Sequence, residues 1–176
     1  VLTPNNFKGK TVYLDCDILL NDTVDWQYWG KYTYAESWTP IGTGSYSMDP
    51  VHPFLGIFDG QGHVISGLYI DAEENFKTIA NHYEDGLFGY VGTKGEATEI
   101  RNLGVQASVA DMRVYTLNVQ TEAGLLVGVL RDGTISQCFT HGKIIVNAKS
   151  NEDIGGVAGQ LGGFNYDAGG AITDCY

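Results

Sequence analysis

The sequence predicts an all-β fold, specifically a right-handed parallel β-helix (β-solenoid) with irregular loops, and three observations lead there. Glycine is abundant, at 24 of 176 residues, roughly twice the share expected from an average usage of about 7%. These glycines follow no three-residue period, which excludes collagen and leaves frequent tight turns as their role. Short apolar motifs recur along the chain, each preceded by a glycine, and helical periodicity is confined to the stretch Asp71 to Asp85, where a short helix is allowed.

In chain order, Val12, Leu14, Cys16, Ile18 and Leu20 alternate with Thr11, Tyr13, Asp15, Asp17 and Leu19. A period of two marks a half-buried strand, with Cys16 on its apolar face. All three tryptophans follow between residues 26 and 38, interleaved with Tyr28, Tyr32 and Tyr34. Four segments then share one pattern: Ile65-Ser66-Gly67-Leu68, Ile100-Arg101-Asn102-Leu103, Ile135-Ser136-Gln137-Cys138 and Ile172-Thr173-Asp174-Cys175. Glycines Gly62, Gly95, Gly133 and Gly170 stand ahead of them, and the last three follow the apolar-Gly stretches Gly86–Gly89, Gly124–Gly128 and Gly155–Gly159.

The Ile and the next apolar residue are three apart, which in a flat strand puts them on opposite faces. A bend at Gly67, Asn102, Gln137 or Asp174 lets both point inward. Gly, Asn and Asp tolerate the positive φ of such a corner, and Gln137 fits less well. Strand, glycine turn, strand, polar corner and strand make one coil of a solenoid, which buries its apolar face only against neighbouring coils. Gly89, Gly128 and Gly159 stand more than about 29 residues apart, beyond a compact strand-plus-helix repeat. The surplus is read as loops at Asp71 to Asp85, Asp111 to Glu122 and Ser150 to Asp153.

Trp38-Thr39-Pro40-Ile41-Gly42, followed by Phe54-Leu55-Gly56-Ile57-Phe58-Asp59-Gly60-Gln61-Gly62-His63-Val64-Ile65-Ser66-Gly67-Leu68, resembles the opening of GLUG-repeat proteins. Gly86-Leu87-Phe88-Gly89 and Gly124-Leu125-Leu126-Val127-Gly128 resemble the repeats that name that family. The resemblance spans nearly the whole chain. It implies one solenoid domain over 1–176, with an N-terminal strand and aromatic cap region at 1–54 and GLUG-like repeats at 55–176, and a fragment of a longer protein is the expectation. It also implies a bacterial surface or secreted chain, adhesin-like or similar to the non-catalytic repeat region of IgA-specific metallopeptidases. The expected location is extracellular or at the cell surface, and the expected partner is an unknown host or surface protein or a glycan.

Composition and motif spacing narrow the chemistry. A net charge of −11 repels phosphate backbones and anionic lipid, so nucleic acid is not an expected partner. No apolar run reaches the ~18 residues of a spanning helix, so membrane insertion is not expected either. Cys16, Cys138 and Cys175 form no Cys-x-x-Cys pair, and the histidines His52, His63, His82 and His141 form no His-Glu-x-x-His. We therefore expect no catalytic residue, no metal and no cofactor. Asp59-Gly60-Gln61-Gly62-His63 resembles a turn of pectin-hydrolysing β-helix enzymes, but the Asn-Thr-Asp, Asp-Asp and Gly-His-Gly signatures of their sites are missing. Polysaccharide cleavage is the last-ranked reading, and the motif is read as turn chemistry. Asp15, Asp17, Asp22 and Asp25, and Glu73, Glu74, Glu84 and Asp85, match no calcium loop and are read as solvated surface. The Asn21-Asp22-Thr23 sequon is read as chance.

Trp26, Trp29, Tyr32, Tyr34 and Trp38 have two readings. They cover the open N-terminal end of the solenoid, or they stack on sugar rings as a carbohydrate-binding module.

Overall fold

The computed structural model describes residues 6–30, 34–43, 52–78, 84–113, 121–146, 152–162 and 169–176. Most of its strands are short, and several end at a glycine or at a residue with positive φ, as at Asn102, Gln137 and Asp174. The first passage of the chain holds β1 (Thr11–Tyr13) and β2 (Ile18–Leu19). The second holds β3 (Ile57–Asp59), β4 (Val64–Ser66), β5 (Tyr69–Asp71), helix α1 (Ala72–Thr78), β6 (Glu84–Asp85) and β7 (Phe88–Val91). The third holds β8 (Glu99–Arg101), β9 (Gly104–Asp111), β10 (Thr121–Gly124) and β11 (Val127–Leu130). The fourth holds β12 (Gly133–Ser136), β13 (Phe139–Ile145), β14 (Glu152–Gly155) and β15 (Ala158–Leu161), and β16 (Gly170–Thr173) follows.

The protein is all-β, with α1 as the one α-helix among the described residues. The strands form four sheets, in the orders β1-β3-β8-β12-β16, β2-β4-β9-β13, β6-β10-β14 and β7-β11-β15. All pairings between these strands are parallel. From β3 onward, successive passages visit the sheets in the same cyclic order. Parallel neighbours cannot be joined by a hairpin, so each strand meets its partner only one passage later.

Register places like residues beside like. In the first sheet Val12, Phe58, Ile100, Ile135 and Ile172 stand side by side on successive strands. All five belong to or pack against one hydrophobic cluster with Leu14, Leu68, Leu103, Leu126 and Leu130. Ile65 is also buried there, but it aligns with Ile18 and Val105 in the second sheet, not with Ile100. The four motif isoleucines thus meet one core on successive passages, as expected, and Phe58 takes the place beside Ile100 in the first sheet. The turn Gly60–His63 is longer than its counterpart at Asn102 and Leu103, and this offsets the two motifs.

The corner between the first two sheets recurs nearly unchanged. Asn102, Gln137 and Asp174 have φ of 52°, 53° and 55°, and each hands the chain to Leu103, Cys138 or Cys175. The thiols of Cys138 and Cys175 both donate to the carbonyl two residues back, at 3.2 Å, and both reach an isoleucine carbonyl of the previous passage, at 3.8 Å. Both are free thiols. The N-terminal alternation does not continue as one strand. The chain turns at Asp15–Asp17 from the first sheet into the second, which leaves Cys16 exposed instead of on an apolar face.

The Gly-Leu repeats have a steric basis. A Cβ on Gly128 would stand 2.8 Å from Asp85 N, and one on Gly159 2.5 Å from Ala123 N. The third and fourth sheets thus approach backbone to backbone, far inside the ~10 Å of side-chain-separated sheets. Helix α1 lies within the predicted stretch, and the Asp71 carboxylate accepts from Glu74 N at 3.1 Å at its start.

Candidate functional site

Two surfaces and one buried column carry the polar and aromatic groups of interest. The first surface is the corner around Asp59, at the end of β3. The Asp59 carboxylate accepts from Gln61 N at 2.9 Å, Asn102 Nδ2 at 3.0 Å and Arg101 Nε at 2.9 Å. The Asn102 bond foremost, then the Gln61 amide and the Arg101 guanidinium, hold its pKa below the ordinary carboxylate value. Arg101 also donates to Glu99 at 2.8 Å. Gln61 turns at φ 53° and donates through Nε2 to Leu14 O at 3.0 Å, tying β1 to this corner. His63 faces Asp17 at 3.1 Å, and Asp17 also accepts from Val64 N at 2.9 Å. The motif Asp59–His63 is thus a turn whose side chains bind backbone and neighbouring strands, as its sequence suggests.

The second surface is the aromatic segment, which separates into parts. Trp29 is buried edge-on against Tyr69, with ring centroids 6.1 Å apart, in a small cluster with Val109. Trp26 packs on the same cluster and meets the His141 ring at 5.4 Å. Both lie on the flank of β5, β9 and β13. Trp38 alone joins the main core, and its indole N–H donates to Leu87 O at 3.0 Å. Tyr28 and Tyr34 are 85% and 102% exposed, and Tyr32 lies outside the described residues. The three tryptophans therefore divide between this flank, which holds Trp26 and Trp29, and the main core, which Trp38 meets. A run of phenylalanines packs in the same main core: Phe7 and Phe58 flank Phe54 and Phe88, with neighbouring rings 5.1 to 5.7 Å apart.

The buried column corrects the reading of the acidic loop. Glu84 and Asp85 are 1% and 2% exposed, not solvated. Asp85 accepts from Asn75 Nδ2 at 2.9 Å, which ties it to α1. Glu84 aligns with Glu122, equally buried, and Glu122 with Asp153. Burial, joined by the charges of Glu84 and Glu122 and opposed by Arg131, holds the Tyr90 phenol above its ordinary pKa. A signal for this column was present in the sequence: an acidic residue stands two places before Gly86, Gly124 and Gly155. By contrast Asp15, Asp17, Asp22 and Asp25 are exposed as expected. Among the described residues no three His, Cys, Asp or Glu side chains are placed to hold a metal ion.

Asn21, half-buried, is held by three hydrogen bonds. Its Nδ2 donates to Glu36 O and Gly67 O, and its Oδ1 accepts from Glu36 N at 2.8 Å. A glycan on this nitrogen would break the bracket, in keeping with a chance sequon. Burial pushes the Cys138 thiol up to about 12, so it stays protonated and is no nucleophile at neutral pH. Among the described residues no helix is long and apolar enough to cross a membrane.

Comparison of the chain with family models, with curated proteins and with solved structures finds no match in any of the three.

Proposed function

We propose that this chain is a right-handed parallel β-solenoid segment of the GLUG-repeat kind, serving as a non-catalytic spacer and display element of a bacterial cell-surface or secreted protein. The observation that carries the reading is the repeated corner, where Asn102, Gln137 and Asp174 turn the chain with near-identical φ and the thiols of Cys138 and Cys175 repeat the same contacts. Repetition of this kind extends a rod by adding units, and a rod holds a binding surface away from its anchor. Asp59 supports a scaffold role, because its carboxylate is taken up by the turn and by Arg101. Partners of such an element are host or surface proteins or glycans.

An experimental structure of the purified chain tests the fold, and a left-handed path or antiparallel pairing overturns it. Brief protease treatment of intact source cells tests display. Release of peptides from this chain ahead of cytoplasmic markers is expected, and recovery only after lysis refutes the location. Release of reducing ends or unsaturated uronides from polysaccharides by the purified chain would refute the non-catalytic role.

A second reading has its own observation. Tyr28, in one helical turn with Trp26, stands bare, as does Tyr34 next to Ala35 of the same cluster, which favours glycan stacking on that flank. Loss of glycan binding in a Tyr28→Ala, Tyr34→Ala variant with an unchanged melt is its test.

A further inference from the structure

Three Asp-Gly pairs occur in the chain, Asp59-Gly60, Asp85-Gly86 and Asp132-Gly133. An aspartate followed by glycine can close a five-membered ring, because glycine has no side chain to keep its amide nitrogen from the preceding carboxyl carbon. The fold treats the three pairs differently. At Asp59 both reacting groups are taken. Its carboxylate holds Gln61 N, Asn102 Nδ2 and Arg101 Nε, and the Gly60 amide donates to Arg101 O at 2.9 Å. Asp85 is buried and tied to Asn75, and backbone atoms of Phe88, Gly124 and Gly128 crowd Gly86.

Asp132-Gly133 has the opposite arrangement. Both residues are half-buried at the entry to β12. The Gly133 amide donates to Asp132 Oδ1 at 2.9 Å, which holds its nitrogen against the carboxyl group it would attack. The Gly95 amide holds Oδ2 at 3.1 Å and keeps the carboxyl from turning away. Pairing of β12 with β8 begins one residue later, at Thr134, so the ladder to β8 makes no claim on the Gly133 amide. Two reacting groups kept in contact have already met the entropic part of their barrier.

We propose that Asp132 is a site of spontaneous isomerisation to isoaspartate in the folded protein. The carboxyl reacts in its acid form. Gly133 N bonds to Asp132 Cγ, and its proton leaves with the carboxyl OH as water, giving a succinimide. Water then adds to the main-chain carbonyl carbon of Asp132 and breaks the bond from that carbon to Gly133 N. The chain now runs through Cγ, one carbon longer, and its mass is unchanged. Addition of water at Cγ instead restores aspartate. The extra carbon falls where the Asp132 backbone lies against Gly92, just ahead of Ile135, so it loosens β12 and the β16 strand paired with it.

The test keeps the purified chain folded near neutral pH and samples it over weeks. Its peptides are read by electron-transfer fragmentation, which distinguishes isoaspartate from aspartate. Isoaspartate should accumulate at 132 faster than at 59 or 85 by about tenfold or more. In concentrated urea the three pairs should react at similar rates, since the contacts that separate them are gone. Asp132→Glu, whose longer side chain would need a six-membered ring, should leave its own peptide unmodified. In the aged fraction the amides of β12 and β16 should exchange faster than in fresh protein, and unchanged exchange would overturn the loosening. The proposal is overturned if no isoaspartate forms at 132 in the folded chain, or if 59 or 85 keeps pace with it there. A lead for 132 that persists undiminished in urea would also overturn it, because the local sequence and not the fold would then choose the site.

Discussion

At Asp59 three hydrogen bonds converge on one carboxylate, and they favour its charged form. A carboxyl group whose folded pKa is lowered adds stability above its unfolded value, and that stability is lost as pH falls through the folded one. Asp59→Asn should therefore destabilise the protein at pH 7 by on the order of 2 kcal/mol, the range for bonds to a charged group. The gap between wild type and variant should narrow below about pH 4. Thermal melts from pH 7 to pH 3 measure this, and parallel curves would sink the idea. The Cys138 thiol differs in the opposite sense. Cys138, raised to about 12 from an ordinary 9.0, contributes stability below the unfolded value that is lost as pH climbs between the two. Cys16, exposed, should react with an aromatic disulfide reagent in the native protein, while Cys138 should react only on unfolding. Immediate native reactivity of all three cysteines would contradict the packing described.

Among the elements, the Gly-Leu repeats are the most demanding sterically. Gly128→Ala pushes a methyl group into the backbone of Glu84, Asp85 and Gly89. Because no flexible side chain can yield there, it should cost about 3 kcal/mol or prevent folding. Gly169→Ala meets nothing within 4 Å and should be neutral, so paired denaturant melts separate close approach from a general effect of losing glycine. The corners were legible in the sequence because backbone preference is local. Gly67, Asn102, Gln137 and Asp174 were all expected to bend, and all have positive φ. The N-terminal alternation misled, because a period of two continues through Asp15–Asp17 although the chain there changes sheets. The aromatic segment shows a related limit. Composition shows a reserve of apolar area, but not which neighbours Trp26, Trp29 and Trp38 will meet.

Over the whole molecule, burial is deepest in the middle and shallower in the last strands. β10 and β11 are buried at every residue, while β15 and β16 are half-buried or exposed throughout. Hydrogen exchange should follow that order, with the amides of β8, β10 and β11 protected most and those of β15 and β16 exchanging first. Uniform protection would argue for a single cooperative unit with no graded end. Ile135, fully buried between Ile100 and Ile172, should cost on the order of 2–5 kcal/mol when cut to Ala. A change below ~1 kcal/mol would place it outside the core.

The sequence by itself determined the β character, the glycine turns, the polar corners and the isoleucines that go inside. Each of these follows from a local rule, either the two-residue period of a strand or the φ a residue tolerates. Tertiary structure alone decided that Phe58, not Ile65, stands beside Ile100, since the length of one turn sets the register and no pattern in either strand records it. It also decided that Glu84 and Glu122 are buried side by side. Their like place two residues before Gly86 and Gly124 marks them as equivalent positions, but that these positions face inward depends on what packs against them.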